Sequence, residues 1–335
     1  MKIGVVGAGG VGGYYGARLA SAGAEVGLIA RGDHLAAIRE HGLRVRADDA
    51  DFVVHVAASD DPAKIGPCDA VIFSVKSYDT DQAAALLGPL LKPETGVLSL
   101  QNGVDNEEKI AARIGPERVL GGVSFILAHI AEPGVVEQVG SVHRVIFGEL
   151  DGSRTERIER LLAEFRKAEI DSDIAGDIRV VLWDKFAFLC ALAGLTAVTR
   201  LPIDKLLAVP ETRKLFREVV REVSLVASAE GVELAGDIVD QKTAFAESLG
   251  PDSYSSLHHD LVTGRRLLLE PRRRRNLAGS RRRPRPPLHL GAHRRPRRPR
   301  LLVRLGSTGP VRGARQPPGP GGALPVAWRR ALGGA

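Results

Sequence analysis

The first half of the chain alternates short apolar runs with amphipathic segments. Apolar runs at 25–30, 70–75, 96–100 and 119–125 lack the polar alternation of a half-exposed strand, and helical periodicity separates them. Strands that are apolar on both sides are buried on both faces, which is typical of a parallel sheet covered by helices. The pattern therefore predicts an α/β fold with a doubly wound, mainly parallel sheet.

Smaller elements are predicted around these strands. A helix is expected over 80–91, and residues 43–47 and 52–57 are expected to pair antiparallel across a polar turn. Residues 135–139 and 144–147 are expected to form another antiparallel pair that closes the sheet.

Helical periodicity dominates from about residue 177. It covers three long segments, at 177–195, 211–230 and 237–248. We therefore predict a Rossmann-type nucleotide-binding domain over 1–172 and a smaller all-helical substrate domain over 173–267. A cleft between two such domains is a common place for a substrate.

The remaining stretch, 268–335, differs in composition from the rest of the chain. Residues 271–335 hold 18 Arg and no Lys, Asp, Glu, Ile, Phe, Tyr, Met or Cys. Three interpretations stay open: a basic disordered tail for nucleic acid or an acidic partner, a Pro-rich linker, and the product of a shifted reading frame in a GC-rich gene. We favour the frameshift, which predicts an inserted or missing base near codons 264–272. An unbroken frame that yields the same tail would contradict it.

The net charge of +7 comes from that tail. Of the 47 basic residues in the chain, 18 are the arginines of the tail, so residues 1–270 hold 29 basic and 40 acidic residues, as an ordinary acidic protein does. Cys68 and Cys190 do not make a disulfide framework, and neither a signal peptide nor a run of about 18 apolar residues is evident. These features predict a cytoplasmic protein.

A glycine-rich turn stands between the first predicted strand and a predicted helix. Gly7, Gly9 and Gly12 have the spacing G-x-G-x-x-G, which permits a tight turn, close approach of a pyrophosphate and packing of helix on strand. The helix start adds unpaired N–H groups and a partial positive charge. The residues predicted to bind a dinucleotide are Gly7, Ala8, Gly9, Gly10, Val11 and Gly12. The alternative is a purely structural turn.

Arg31 directly follows the second strand. Sites for NAD usually place an acidic residue in this region for the ribose hydroxyls, whereas an arginine accommodates a 2′-phosphate. NADPH is therefore the predicted cofactor, and FAD is disfavoured by the same lack of an acid. A solvated Arg31 without a ligand is the alternative.

Lys76 and Asn102 follow two of the buried strands. Ligands bind at the carboxyl edge of such sheets. A lysine there can reach a phosphate or a substrate carboxylate, and an asparagine can hydrogen-bond the nicotinamide ribose or the substrate. Either residue alone is typical of an ordinary turn, but together with the glycine turn they indicate a cofactor role.

Lys185 falls on an apolar helical stripe with Ile178, Leu182 and Leu189. Burial lowers the pKa of a lysine and makes it a usable proton donor near neutrality. The alternative is a lysine that extends towards solvent and pairs with a nearby acid, Asp184 or Asp260.

The segment Ser255-Ser256-Leu257-His258-His259-Asp260 is the last polar cluster before the tail. Adjacent residues on a helix point in different directions, and no further cluster with metal-ligand spacing is visible. We therefore expect no metal site.

Together these residues resemble the 2-dehydropantoate 2-reductases (ketopantoate reductases), over residues 1 to about 267. The motifs that carry the resemblance are the glycine turn, Ser74-Val75-Lys76, Gln101-Asn102-Gly103, Trp183-Asp184-Lys185-Phe186, and Ser255-Ser256 with Asp260. The resemblance implies an NADPH enzyme of pantothenate and coenzyme A biosynthesis.

The resemblance also implies a role for individual residues. Lys185 is implied as the catalytic lysine, which protonates the carbonyl oxygen as hydride arrives. Asn102 and Ser256 are implied to bind the substrate together with Lys185. The cofactor contacts implied outside the glycine turn are Arg31, Lys76, Asn102 and Ala128.

Three positions differ from the pattern of the family. Leu189 and Ala193 stand where well-studied members carry asparagines that contact the substrate, and Leu268 replaces an expected glutamate. An apolar wall suits a more hydrophobic 2-oxo acid. Because the last helices of the family would fall within 268–335, we also expect lowered stability and an exposed apolar patch on the helical domain.

The predicted function is the NADPH-dependent reduction of 2-dehydropantoate to pantoate, on a small-molecule 2-oxo acid and without a membrane partner. Two alternatives stay open: a reductase of another 2-oxo acid or carbonyl compound, and a non-enzymatic nucleotide-binding protein whose basic tail binds nucleic acid. A homodimer is compatible with the sequence.

Overall fold

The computed structural model describes residues 1–267. The tail over 268–335, with its competing interpretations and the position of Leu268, lies outside the described residues. Strands and helices alternate as far as residue 174, and only helices follow.

The strands of the described chain form one mixed sheet. They are β1 (Lys2–Val6), β2 (Glu25–Ile29), β3 (Leu43–Ala47), β4 (Ala50–Val54), β5 (Ala57–Ser59), β6 (Cys68–Phe73), β7 (Leu91–Ser99), β8 (Val119–Glu132), β9 (Val135–Glu149) and β10 (Ser172–Ile174). Their order is β4-β3-β9-β8-β7-β6-β1-β2-β5, and β10 pairs with β9. All pairs from β5 to β8 are parallel, whereas β8 with β9 and β3 with β4 are antiparallel.

Helices cover the sheet and then form a region of their own. They are α1 (Gly10–Ser21), α2 (Gly32–His41), α3 (Thr80–Ala84), α4 (Asn106–Ile114), α5 (Glu156–Lys167), α6 (Ile178–Thr199), α7 (Ile203–Ala208), α8 (Pro210–Ala229), α9 (Ile238–Ser248) and α10 (Ser256–Val262). The predicted α/β class, a doubly wound sheet followed by helices, is thus confirmed. The boundary near residue 172 stays a prediction.

The strands are apolar throughout because both faces of the sheet are covered. Val71 and Ile72 of β6 are fully buried and belong to different clusters, since successive side chains of a strand point to opposite faces. Ile72 lies in the cluster that contains Tyr14 of α1 and Phe165 of α5, and Val71 lies in the cluster that contains Ile110 of α4.

The helical region has a core of its own. Phe188 of α6 contacts the rings of Phe216 and Phe245 at centroid distances of 6.3 and 4.8 Å. At its first turns α6 packs Ile178 and Leu182 in one cluster with Val123 of β8. This helix therefore fixes the helical region against the sheet.

α6 is also the one helix in the described chain that is long and apolar enough to cross a membrane. The core helix of a globular protein meets the same criteria. Ala187, Ala191 and Leu195 on α6 are buried in the helical core.

Exposed large apolar side chains are concentrated in the helical region, where the sequence predicts an uncovered patch. Leu225 and Val226 of α8 are exposed, as are Val198 near the end of α6 and Val262 at the end of α10.

Two predicted elements were wrong, and in both regions a proline stands next to a glycine. The helix expected over 80–91 ends at Ala84, and a separate 3-10 turn covers Gly88–Leu90. Pro89 has no N–H to donate to Ala85 O, so the helix cannot run through it. The segments 135–139 and 144–147 are parts of the single strand β9, which pairs with β8 and not with itself. Pro133 and Gly134, with Gly134 at φ +79°, form the hairpin turn that the sequence reading overlooked. The antiparallel pair of β3 with β4 is confirmed.

Candidate active site

The glycine turn leads from β1 into α1 and is packed against the protein at three of its positions. A Cβ at Gly7, which has φ +94°, would lie 2.8 Å from Val75 N. A Cβ at Gly10 would lie 2.2 Å from Ala128 O, and one at Gly12 would lie 2.1 Å from Ser74 Oγ. Larger residues at these positions would therefore collide with neighbouring chain segments.

Gly9 is different, because no heavy atom of the described chain lies within 4 Å of the position that its Cβ would take. It precedes α1 with φ −79°, a value open to any residue. The first turn of α1 has neither a side-chain cap nor an acidic residue. The turn thus offers open backbone and uncapped N–H groups to an anion, as a pyrophosphate site requires.

A histidine that the sequence reading did not single out holds this turn in place. The N–H of Gly134 donates to His34 Nδ1 at 3.0 Å, so the proton of the neutral ring lies on Nε2, which donates to Ala8 O at 2.8 Å. Burial lowers the pKa of His34, which favours this neutral form. The hairpin of β8 and β9 is therefore fastened to the turn through His34 as well as through the contact of Gly10 with Ala128.

Arg31 lies at the start of α2, where its side chain is 81% exposed. Its Nη2 lies 3.1 Å from Asp79 Oδ2. The guanidinium is thus available to a ligand at the edge of the turn, although a carboxylate already contacts it.

Lys76 and Asn102 follow the neighbouring parallel strands β6 and β7, so that their loops meet. Ser77 Oγ donates to Asn102 O at 3.0 Å, which joins the two loops directly. Lys76 Nζ lies 3.0 Å from Asp260 Oδ2 on α10. Both residues lie at one edge of the sheet, as predicted, because β6 and β7 are neighbouring parallel strands. The ion pair between Lys76 and Asp260 also joins this edge to the helical region.

A buried polar network supports these loops. Gln101 Nε2 donates to Val75 O and to Thr80 Oγ1, both at 2.8 Å, and Thr80 Oγ1 donates to Asn106 Oδ1 at 3.2 Å. Asn106 Nδ2 then donates to Asn102 O at 3.1 Å. Except for Asn102 and Asn106, these partners are more than 20 residues apart in sequence. The polar residues that follow two buried strands are the only signal of this network in the sequence.

Lys185 projects from α6 into this edge. Its Nζ donates to Asn102 Oδ1 at 2.8 Å and to Ser124 O at 2.7 Å, and it lies 5.5 Å from the centroid of the Phe125 ring. Burial lowers the pKa of the half-buried Lys185 to about 8.

The alternative that Lys185 pairs with Asp184 or Asp260 is wrong. Asp184 pairs with Lys242, and Asp260 pairs with Lys76. Within residues 1–267 no carboxylate oxygen lies in ion-pair range of the Lys185 ammonium.

Comparison with known proteins decides the family. Models of the ketopantoate reductases PanE/ApbA match residues 3–152, and the model of their C-terminal part matches residues 177–270. The chain belongs to the ketopantoate reductase family.

Relatives of known name agree with this assignment. A 2-dehydropantoate 2-reductase of Mesorhizobium japonicum is 31% identical over 280 residues, covering 74% of this chain and 86% of the relative. A solved ketopantoate reductase of the PanE/ApbA family from Ralstonia eutropha superposes with a TM-score of 0.73 at 37% identity, over 79% of this chain and 87% of that one. A solved complex of D-mandelate dehydrogenase with NADH gives a TM-score of 0.70 at 25% identity, over 80% and 87% of the two chains.

The family is one of oxidoreductases that use a nicotinamide nucleotide and a small 2-oxo acid, and the glycine turn of this chain fits such a cofactor. Open backbone at Gly9, uncapped N–H groups of α1 and the cations Arg31 and Lys76 form a donor set suited to its phosphates.

Ser256, the remaining residue predicted to bind the substrate, begins α10. Its neighbour Ser255 is buried and accepts from the N–H of His258, with Thr196 Oγ1 2.8 Å away, so that Ser255 caps the helix. Ser256 is exposed and lies one helical turn before Asp260, on the same face. In the described chain no hydrogen bond joins Ser256 to Lys185 or Asn102.

No group of three His, Cys, Asp or Glu residues within 1–267 is placed to hold a metal ion. In the cluster that raises this question, His258 stacks on the Tyr254 ring, with a centroid distance of 4.1 Å, while Asp260 pairs with Lys76.

Proposed function

We propose that this family member reduces 2-dehydropantoate to pantoate with NADPH in the cytoplasm. The observation that carries the proposal is the Lys185 ammonium. It lies beside Asn102 at the carboxyl edge of the sheet, and it lacks a carboxylate partner in the described chain. A cation that is partly shielded from water in this way can stabilise an oxyanion that forms during a reaction.

The nucleotide would be held by the glycine turn, with its pyrophosphate at Gly9 and the start of α1. Arg31 and Lys76 would bind the phosphate at the adenosine end, and Asn102 and Ala128 would contact the remainder. The reduced nicotinamide supplies the hydride that reaches C2 of the substrate.

Lys185 would supply the proton. A lysine ammonium has three N–H donors, and two of them are directed to Asn102 Oδ1 and Ser124 O. The third is available for the carbonyl oxygen of a substrate. With a pKa of about 8 the group is largely protonated at neutral pH and yet gives up its proton more readily than an exposed lysine.

Ser256 would bind the carboxylate of the substrate. Its position on the face of α10 that carries Asp260, the partner of Lys76, brings it towards the same edge. This role requires α10 to move or the substrate to bridge the space between Ser256 and Lys185.

A more hydrophobic 2-oxo acid is a second candidate substrate. It is favoured by apolar Leu189 and Ala193 on α6, one and two turns beyond Lys185, and by the structural similarity to D-mandelate dehydrogenase. That enzyme acts on a hydroxy acid with an aromatic side chain.

A substrate panel tests both candidates. Oxidation of NADPH would be followed by absorbance with 2-dehydropantoate, phenylglyoxylate and pyruvate. The highest kcat/KM with 2-dehydropantoate supports the first candidate, and the highest with phenylglyoxylate supports the second. Absence of turnover with all three, in a preparation that binds NADPH and melts cooperatively, would contradict the proposed function.

A further inference from the structure

Asp79 lies between two arginines at the adenosine end of the proposed nucleotide site. Arg31 Nη2 is 3.1 Å from Asp79 Oδ2, and Arg266 Nη1 is 3.7 Å from Asp79 Oδ1. The Cζ atom of Arg266 lies 4.0 Å from the centroid of the Tyr78 ring. Three distant segments of the chain therefore meet around one carboxylate.

The exposures of these groups matter for ligand binding. Arg31 is 81% exposed and Arg266 is 65% exposed, whereas Asp79 is 21% exposed. The arginines can thus turn towards a ligand, whereas the carboxylate of Asp79, the residue before α3, is largely shielded from solvent. An ion pair whose guanidinium is this exposed is weak, so that a phosphate can displace it.

The two nicotinamide nucleotides would meet this carboxylate differently. A 2′-phosphate carries up to two negative charges, so it competes with Asp79 for Arg31 and is repelled by Asp79 at close range. A ribose with a free 2′-hydroxyl has no such charge and can donate a hydrogen bond to a carboxylate.

We infer that Asp79 sets the preference of this chain between NADPH and NADH, by weakening the hold of Arg31 on a 2′-phosphate, and that Arg266 partly offsets this effect. The inference rests on the proposed function, because it assumes that a nicotinamide nucleotide binds at Arg31. It adds a determinant of specificity on the loop after β6, away from the residue after β2 where the choice is usually sought.

Direct binding of each dinucleotide to Asp79→Asn tests the inference. The full chain would be titrated separately with NADPH and NADH by calorimetry, so that the result does not depend on turnover. Loss of one negative charge near the 2′-phosphate is expected to tighten NADPH binding roughly three- to tenfold, and less at high salt. NADH binding is expected to stay the same or to weaken.

Asp81→Asn is the matched control, because Asp81 is exposed two residues further along and contacts neither arginine in the described chain. Its ratio of NADPH to NADH affinity is expected to equal that of the unmodified protein. Arg266→Ala is expected to weaken NADPH binding selectively, by about threefold.

Different outcomes would contradict the proposed function and the proposed role of Asp79. If the unmodified chain binds neither dinucleotide, the proposed function fails and the inference fails with it. If it binds at least one, but Asp79→Asn leaves the ratio of affinities unchanged while melting like the unmodified protein, this inference alone is overturned. A changed ratio with Asp81→Asn would overturn it as well, because the effect would then be one of general surface charge.

Discussion

The nucleotide side and the substrate side of the proposed active site are constructed differently. On the proposed nucleotide side, backbone groups of a short segment form the site, and glycines fit them against β8 and the loop after β6. On the proposed substrate side, the principal group is one lysine on α6, which contacts Asn102 and Ser124 across long separations in sequence. A local motif therefore specifies the first side, whereas the second depends on how two regions of the chain pack.

The largest effect is expected from Lys185→Met, which removes the charge and the proton donor but keeps the length of the side chain. We expect kcat/KM for carbonyl reduction to fall by about 10²- to 10⁴-fold, with little change in the affinity for NADPH. Steady-state kinetics and a dinucleotide titration would measure the two effects. Lys214→Met, on the exposed surface of α8, is the control and should leave both unchanged. Equal losses in both variants would contradict the proposed role of Lys185.

Substitutions at two positions of the glycine turn should have different effects, one on ligand binding and the other on folding stability. Gly9→Ala meets open space, so it should leave the melting temperature unchanged while weakening dinucleotide binding by roughly 10- to 100-fold, through overlap with the bound ligand. Gly10→Ala meets the Ala128 carbonyl and should destabilise the folded state by about 1–3 kcal/mol.

Thermal unfolding and a calorimetric titration of both variants measure these effects. Equal destabilisation by the two substitutions would contradict the difference in packing between Gly9 and Gly10. Unchanged dinucleotide binding by Gly9→Ala would place the pyrophosphate elsewhere.

A smaller effect is expected from pH. Burial lowers the pKa of Lys185 to about 8, and the proposed role of Lys185 as proton donor requires its protonated form. The value of kcat/KM should therefore be level below that pH and fall about tenfold per pH unit above it. Lys185→Arg should lose this alkaline limb, whatever its absolute rate, because a guanidinium stays protonated. A limb that persists in that variant would assign the titration to another group.

The smallest effect concerns His34. Its pKa in the folded state is lowered by burial, so the unfolded chain binds more protons as the pH falls below the ordinary value of about 6.5. Stability should thus decrease from about pH 6.5 downwards, until His34 is protonated in the folded state as well.

His34→Ala should reduce this acid sensitivity, and it should cost about 1–3 kcal/mol at neutral pH, since Ala8 O and the Gly134 N–H lose their partner. Denaturant unfolding across the pH range would measure both the acid sensitivity and the loss of stability at neutral pH. His41→Ala, at an exposed position on α2, is the control. If the free energy of unfolding of His34→Ala depends on pH as strongly as that of the unmodified protein, the acid sensitivity belongs to His143 or His258, whose pKa values burial also lowers.

The sequence predicted the local features of the fold well. The alternation of apolar runs is sufficient for a doubly wound sheet, and the order of its strands brings Lys76 and Asn102 to one edge. The predicted helix over 80–91 was wrong because helical periodicity does not outweigh the break that Pro89 imposes.

Long-range partners could not be predicted. Nothing near Lys185 in sequence shows that its acceptors are Asn102 and Ser124, and Asp184 was a reasonable partner until the structure placed it beside Lys242. The bridge made by His34 joins residues 26 and 100 positions away, so no local pattern reveals it. The partners of Asp79 are equally distant in sequence, since one arginine directly precedes α2 and the other lies beyond α10.

The fastening of the glycine turn has a consequence for binding energetics. Ser74 Oγ donates to Gly7 O, His34 donates to Ala8 O, and Gly10 packs against Ala128, so that three residues of the turn are fixed from outside it. The conformational entropy of the turn is thus lost when the chain folds and not when a nucleotide arrives. Such preorganisation allows a few contacts to give useful affinity, and it leaves the exposed arginines around Asp79 as the part of the proposed site that selection can alter at little risk to the fold.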